Sequence, residues 1–344
     1  MSRPMQGVLR TASVLAALLC GLSAAAAVLR PGPPVPADNP MSAAKVELGR
    51  RLFYDADLSV NGTMSCATCH EQKHAFADGN VSHPGALDDP GRRNVPGLAN
   101  VGWFPRLTWA DPRQTSLEKQ VAVPVFGDDP VEMAMKGHED EIARRLGRDP
   151  CYVEMFARAF PESGGAIRYP LVARAIAAFE RTLVSRGSPY DLYARGDAAA
   201  LSPAAQQGLR IFERECASCH AGPDFTDTAY HRIASHPAQD TGDRGLAEVT
   251  GEQADEGKFR TPGLRNASVT APYLHDGSAP AFADAIRAHD AFAALPEAKE
   301  APLEAFLASL TDEHFLKDPR FALPDADSCS SRPGMSTTMS YHRH

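Results

Sequence analysis

The chain has 344 residues, 43% hydrophobic and 23% charged, enough to bury a core and too long for one small domain, so two domains are the natural expectation. Its 35 Lys and Arg against 43 Asp and Glu give a net charge of −8, which disfavours a nucleic-acid binder and leaves basic protein partners open. Of seven cysteines (Cys20, Cys66, Cys69, Cys151, Cys216, Cys219 and Cys329) four fall into two tight pairs. That excludes a dense disulfide framework and leaves Cys151 and Cys329 able to form one bridge.

Residues 1–27 read as a secretory signal peptide. Arg3 and Arg10 precede an uncharged stretch from Thr11 to Val28, with small residues from Ala24 to Ala27 that suit signal-peptide cleavage. The alternatives are an uncleaved membrane anchor and a lipoprotein modified at Cys20, but Leu19 is a poor lipobox residue and the Ala run favours cleavage. Residues 28–38 contain Arg30-Pro-Gly-Pro-Pro-Val-Pro36 and form an extended arm. From Asn39 the periodicity is helical: Leu171, Ala175, Phe179 and Leu183 recur at i+4, and Leu303, Phe306, Leu307 and Leu310 make a second apolar stripe. Long Pro- and Gly-rich loops, 78–97 and 221–258, separate the helices.

An internal repeat sets the layout. Gly49-Arg-Arg-Leu-Phe53 precedes Cys66-Ala-Thr-Cys69-His70, and Gly208-Leu-Arg-Ile-Phe212 precedes Cys216-Ala-Ser-Cys219-His220. The second helix carries a start signal, Ser202 as N-cap with Pro203 at its first position. The halves meet near Gly187-Ser-Pro189, giving an N-terminal domain over 39–188, a C-terminal domain over 189–326 and a disordered Ser-, Thr-, Met- and His-rich tail over 327–344.

Two cysteines three apart place both sulfurs against the vinyl groups of one porphyrin, and the adjoining histidine then lies beneath the iron. This is the c-type haem attachment signal. A thioredoxin-like redox pair does not need the histidine, and a zinc site does not need it in the same adjoining position twice. Cys66, Cys69 and His70, then Cys216, Cys219 and His220, therefore predict two covalent haems, and export fits because thioether attachment happens outside the cytoplasm. A haem that only transfers electrons is closed by a second protein ligand, often Met, whereas one that activates peroxide keeps that position open. After Cys219 the only methionines are Met335 and Met339, both in the tail. The second haem's candidates are His231, His236, His275 and His289. His289 is best placed, following Phe282 and Ile286 at i, i+4, i+7.

Lys258-Phe-Arg-Thr-Pro-Gly-Leu-Arg-Asn266 and Thr270-Ala-Pro-Tyr-Leu-His-Asp-Gly-Ser278, placed after a second Cys-x-x-Cys-His, resemble the signature of the bacterial dihaem cytochrome c peroxidase and MauG superfamily. The resemblance runs from about Asn39 to about Leu310. Asn39-Pro-Met, Leu107-Thr-Trp-Ala, Gly127-Asp-Asp-Pro-Val-Glu132 and Gly187-Ser-Pro-Tyr-Asp191 are most similar to its MbnH-type branch. It implies an all-α fold of two cytochrome c-like domains, each wrapping one haem, with a calcium ion between them.

By position, Trp109 matches the tryptophan that relays electrons between the haems, while Trp103 lacks that context. Glu132 matches the distal glutamate above the open N-terminal haem, where a carboxylate can move a proton between the peroxide oxygens. Gln120 and Pro124 match other pocket positions, and Asn94, Thr270 and Pro272 match the calcium site, whose weakly charged oxygen ligands suit that ion. His83 lies in the loop where the superfamily's peroxidases carry a histidine for the resting N-terminal haem.

Two positions depart from the pattern. His289 falls where the peroxidases have Met and MauG has Tyr, which favours higher oxidation states. Arg214 falls where MauG has a surface tryptophan that passes oxidation to its partner, and this leaves the exit route open. The expected function is a periplasmic dihaem peroxidase/oxidase that uses hydrogen peroxide to form a high-valent dihaem state and oxidises an aromatic residue of a partner protein. The MbnH likeness implies a Trp-to-kynurenine type modification in a copper-related partner. The alternatives are a peroxide-reducing cytochrome c peroxidase fed by a small cytochrome c or cupredoxin, and a non-catalytic dihaem electron-transfer cytochrome. No nucleic acid is expected, and membrane only if the leader stays uncleaved.

Overall fold

The computed structural model describes residues 31–233, 242–289 and 296–325. The predicted leader and tail, Cys20, His236, Cys329, Met335 and Met339 lie outside them. The described residues are mostly helical: α1 (Ala43–Phe53), α2 (Cys66–Cys69), α3 (Leu117–Gln120), α4 (Ala122–Phe126), α5 (Glu139–Leu146), α6 (Pro150–Ala159), α7 (Tyr169–Glu180), α8 (Pro189–Ala194), α9 (Pro203–Glu215), α10 (Ala247–Thr250), α11 (Phe282–Arg287) and α12 (Glu297–Ala308). One antiparallel ladder, β1 (Tyr230–His231) on β2 (Phe259–Arg260), sets Tyr230 opposite Arg260. No helix among the described residues is long and apolar enough to cross a membrane.

Helix starts follow local chemistry. The Ser42 hydroxyl accepts the Lys45 N–H ahead of α1, and Asp149 accepts the Cys151 N–H with Pro150 at the first helical position of α6. Ser202 accepts the Ala205 N–H with Pro203 behind it, as its sequence signal requires. Both apolar stripes face cores: Ala175, Phe179 and Leu183 are fully buried, as are Phe306 and Leu310.

The sequence repeat is a structural repeat, and it is larger than the motif. In the first half α1 crosses α7; in the second α9 crosses α12. At each crossing a glycine meets a carbonyl so closely that a Cβ on Gly49 would lie 1.8 Å from Ala175 O, and one on Gly208 1.9 Å from Pro302 O. Four residues on, each helix pair delivers a phenylalanine to a three-ring cluster. Phe53 and Phe179 are 5.3 Å apart with Phe76 5.8 Å from Phe53, and Phe212 and Phe306 are 5.0 Å apart with Phe225 5.7 Å from Phe212.

A buried polar seam joins the halves: Asn100 Nδ2 donates to Asp224 (2.8 Å), and Asp312 accepts the N–H groups of Arg186 and Gly187. Beside it, within the second half, Arg265 donates to both oxygens of Asp191 (2.8 and 2.9 Å). After α12 the chain returns to the first half, where Phe315 and Phe321 pack into the first core. The N-terminal arm lies against the first half, with Trp103 Nε1 donating to Pro31 O and Arg181 Nε to Pro34 O. Cys151 is disulfide-bonded, and its predicted partner Cys329 lies outside the described residues.

Gly208→Ala is expected to destabilise the protein by about 2 kcal/mol, because the forced separation of α9 and α12 outweighs the ~1 kcal/mol better helix propensity of alanine. The exposed Arg210→Ala on the same helix should change stability by no more than about 0.5 kcal/mol. Thermal unfolding of the two variants beside the wild type reads the difference.

Candidate functional site

The two Cys-x-x-Cys-His segments share one geometry. Each is a tight turn in which the histidine N–H donates to the first cysteine's carbonyl, His70 to Cys66 and His220 to Cys216, both at 2.9 Å. The chain then doubles back, and Phe76 and Phe225 take left-handed backbone angles (φ 63° and 54°). That turns their carbonyls onto the imidazoles: Nδ1 of His70 lies 2.6 Å from Phe76 O and Nδ1 of His220 lies 3.0 Å from Phe225 O. A carbonyl only accepts, so the proton must sit on Nδ1 and the lone pair on Nε2. Burial lowers both histidine pKa values, that of His220 to about 4, so each ring is neutral at pH 7 and able to ligate a metal. The four motif cysteines are not in disulfides. Burial pushes the Cys69 and Cys216 thiols up to about 12, the reverse of the shift an activated redox cysteine needs.

Beside the second motif is a cavity of about 730 Å³, lined among others by Cys216, Cys219, His220, His289, Trp109 and Arg260. His289 stands just past the end of α11 and faces His220, with ring centroids 6.3 Å apart. Its Nδ1 lies 2.9 Å from Ala285 O, so its Nε2 lone pair is also free. Two imidazoles that share one metal, each with nitrogen about 2 Å from it, place their centroids about 6 Å apart. The pair fits an iron held between them, and the cavity is of cofactor size. None of its described lining residues is a methionine. Of the other candidates, His275 is stacked on Phe259 (3.5 Å, 14°), and His231 is exposed and bonded to Asp227 (2.7 Å).

At the first motif, the segment carrying Glu132 is clamped by backbone bonds: Ala86 N to Glu132 O (2.6 Å), Met133 N to Pro124 O (2.9 Å) and Met135 N to Val125 O (3.0 Å). Pro124 is thereby tied to the Glu132 segment, one turn after Gln120 closes α3. The Glu132 carboxyl is close enough to Cys66 and Cys69 to act on both thiols, and burial raises its own pKa while the His83 charge opposes that rise. The His83 ring is also bonded to Pro84 O.

Trp109, 8% exposed, lines the cavity and donates Nε1–H to Asn94 O (2.7 Å). Asn94 Nδ2 donates to Asn80 O and Val81 O, and its N–H to His275 O. Thr270 and Pro272 line the same cavity as Asn94. Arg214 is exposed at the end of α9 beside Glu215.

Three further polar residues stand here, Asp78 and Glu180 outside any sequence motif and Arg260 within the Lys258–Asn266 segment. Asp78 is fully buried with Oδ2 unpartnered. Arg260 is 3% exposed and lines the cavity. Glu180 ends the apolar helix α7 with Oε2 unpartnered, acts on Cys66, and is pushed up to about 8 by burial. The only sequence signal for Glu180 is a charge interrupting an otherwise apolar stripe.

A family model described as di-haem cytochrome c peroxidase matches residues 43–199. MauG, the methylamine utilization protein of Methylophilus methylotrophus, is 32% identical over 81% of this chain and 82% of its own length. Cytochrome c551 peroxidase of Pseudomonas aeruginosa is 34% identical over 72% of each. Among solved structures, a MauG-like protein associated with microbial copper homeostasis is 38% identical, covers 86% of this chain and 97% of that one, and superposes with a TM-score of 0.79.

Glu180 stays protonated in the folded chain up to about pH 8 but ionises near pH 4.5 when unfolded. The pH-dependent cost of its burial is therefore absent below pH 4.5, grows as the pH rises toward 8 and is constant above that. Glu180→Gln removes that cost, so the melting temperature of the variant should gain on the wild type between pH 5 and pH 8. A difference that does not change with pH would refute it.

Proposed function

The chain belongs to the di-haem cytochrome c peroxidase and MauG family, haem oxidoreductases that act on peroxide with two c-type haems, and within that family we propose a MauG-type role in which peroxide is spent on oxidising an aromatic side chain, a tryptophan, of a partner protein. One observation carries the reading: the ring facing His220 is the imidazole of His289, and no methionine lines the described cavity. A methionine ligand raises the potential and suits a site that accepts electrons from a small cytochrome. An imidazole pair suits a site that holds oxidising equivalents.

When bound, the two haems supply the peroxide-activating iron and a store for the two oxidising equivalents. Cys66, Cys69 and His70 hold the first and Cys216, Cys219, His220 and His289 the second. Glu132 takes the proton from one peroxide oxygen and returns it to the other, which lets water leave; its burial raises its pKa toward the range where a carboxyl can do both. Gln120 and Pro124 shape the pocket around it. Trp109 conducts electrons between the halves, held in place by Asn94 O. Asn94, Thr270 and Pro272, which line one cavity with that tryptophan, would hold a calcium ion there. Export by the leader places the enzyme in the periplasm. The likeness to the copper-homeostasis protein makes a copper-handling protein the partner class. Arg214 removes an aromatic exit at its position, so the equivalents leave elsewhere.

The test is spectroscopy of the purified holoprotein followed by turnover. A five-coordinate high-spin haem beside a low-spin haem with no methionine–iron charge-transfer band is expected, with slow oxidation of reduced small cytochromes. Turnover of those cytochromes at ordinary peroxidase rates would select peroxide detoxification instead. His289→Ala should convert the low-spin signal to high spin, and an unchanged spectrum refutes the ligand assignment. Glu132→Gln should slow the reaction with peroxide by about 10²–10⁴-fold with haem content unchanged. The wild-type rate should fall with decreasing pH as Glu132 protonates, from a pH above the ordinary carboxylate range, and stopped-flow should find that limb missing in the variant.

A further inference from the structure

The chain has two tryptophans. Trp109 is buried, and the other, Trp103, is half-buried at the end of the short turn Val101–Trp103. Its ring is held from two sides. Nε1–H donates to Pro31 O of the N-terminal arm (3.2 Å), and Arg186 Cζ lies 5.1 Å from the ring centroid. Arg186 is itself paired with Asp224 (2.8 Å), so the ring faces a balanced ion pair rather than a bare cation. The turn is packed between the arm and the segment that leaves α7: a Cβ on Gly102 would lie 2.8 Å from Pro33 Cβ and 3.4 Å from Arg181 Cα. Both segments carry an exposed apolar side chain, Val35 on the arm (48%) and Val184 after α7 (36%). An indole in such a place can be approached by an aromatic side chain of another protein.

Trp103 also stands one residue behind the wall of the cavity beside the second motif. Phe104, whose Cα is about 3.8 Å from that of Trp103, lines the cavity, and so does Asp224, the partner of Arg186. An indole is oxidised by loss of one electron and keeps its N–H, whereas a phenol must also give up its proton. Tyr230, across the β ladder from Arg260, has a buried hydroxyl with no acceptor among the described residues, so its oxidation would strand a proton. Arg214 offers no ring at the end of α9.

We propose that Trp103 is the exit through which oxidising equivalents leave the second half for the partner protein. The proposal rests on the reading that the chain stores those equivalents to oxidise an aromatic side chain of a partner. Trp103 gives one electron inward and is refilled by one electron from the partner's tryptophan, with its N–H kept on Pro31 O and no bond of its own made or broken. Two such passes take two electrons from the partner side chain, which also releases two protons. Hydrogen peroxide is the oxidant, and with those two electrons and two protons it becomes two waters. The apolar surface around the turn is then where the partner's tryptophan docks.

The test adds hydrogen peroxide to the holoprotein with no partner present and follows it by stopped-flow absorbance and peptide mass mapping. Without a partner to refill it, the indole of Trp103 should give up two electrons and two protons and take one oxygen from water, so the mass of one added oxygen is expected on residue 103. Added oxygen elsewhere with residue 103 intact overturns the proposal. Equal labelling of residue 103 in Glu132→Gln, whose reaction with peroxide is slow, overturns it as well, because bulk peroxide would then suffice. Trp103→Phe removes the oxidisable ring and should lengthen the lifetime of the peroxide-oxidised state about tenfold. Trp103→Tyr, which returns an oxidisable ring to the same place, should recover part of the decay. Wild-type lifetimes in both variants overturn the exit, even if their stability falls. If Trp103→Phe does not accumulate, the mass map of the wild type decides alone. A wild type that forms no oxidised state with peroxide overturns the underlying reading and the exit with it, a failure read from absorbance before any variant is made.

Discussion

Both motif histidines are committed by one interaction, the hydrogen bond from Nδ1 to a backbone carbonyl. A free imidazole can present either nitrogen and can rotate. With Nδ1–H given to Phe76 O or Phe225 O, each ring keeps one tautomer and one orientation, with the Nε2 lone pair as its remaining polar function. The carbonyls reach the rings only because Phe76 and Phe225 accept left-handed backbone angles, a strain that nothing local repays. It is offset by the aromatic clusters, in which the same two side chains pack between the helices that cross at Gly49 and Gly208. Helix crossing, ring cluster, backbone angle and histidine lone pair therefore form one chain of dependence, built twice.

His289 obeys the same logic from a different element. It stands just past α11 rather than in a turn, yet its Nδ1 is also bonded to a carbonyl, that of Ala285. Two rings reached by unrelated parts of the chain thus present their free nitrogens to one space, 6.3 Å apart between centroids. Among the described residues no second imidazole faces His70, whose ring neighbour is Phe53 at 6.4 Å. What acts on its motif is Glu132, a buried carboxyl whose charge reaches both cysteines and whose segment is tied by backbone bonds to residues 124 and 125. The repeat is therefore shared in the turn and carbonyl that hold each motif histidine, and differs in what lies near it, an imidazole in the second half and a carboxyl in the first.

Much of this was legible in the sequence because the informative signals are local. The Cys-x-x-Cys-His turns, the Ser202–Pro203 helix start and the apolar stripes of α7 and α12 each depend on residues within about two turns of one another. The Gly-to-Phe spacing was visible as a repeat, but its cause was not, since it lies in carbonyls of Ala175 and Pro302 that are more than ninety positions away in sequence. Phe76 and Phe225 passed unnoticed for a similar reason, because a left-handed phenylalanine has no compositional signature. Cys151 stands out by elimination and Arg260 lies within the Lys258–Asn266 segment, whereas Glu180 and Asp78 carry no such mark. A buried charge reads on paper like a surface one, and only burial distinguishes Glu180 from the exposed Glu213.

Asp78, Glu180 and Arg260 bear on how the chain holds its cofactors. Protein interiors rarely tolerate a buried polar atom without a partner, yet among the described residues Asp78 Oδ2 and Glu180 Oε2 lack one and Arg260 lacks a carboxylate. All three stand beside a motif or line its cavity: Asp78 and Glu180 act on the thiols of the first motif, and Arg260 lines the cavity of the second. Unmatched polarity gathered around two attachment motifs is what a fold looks like when it is completed by something other than polypeptide. A chain stable without its cofactors would gain from replacing these groups with apolar ones of similar size. Their presence sets unmatched polar groups beside the residues that would hold the haems.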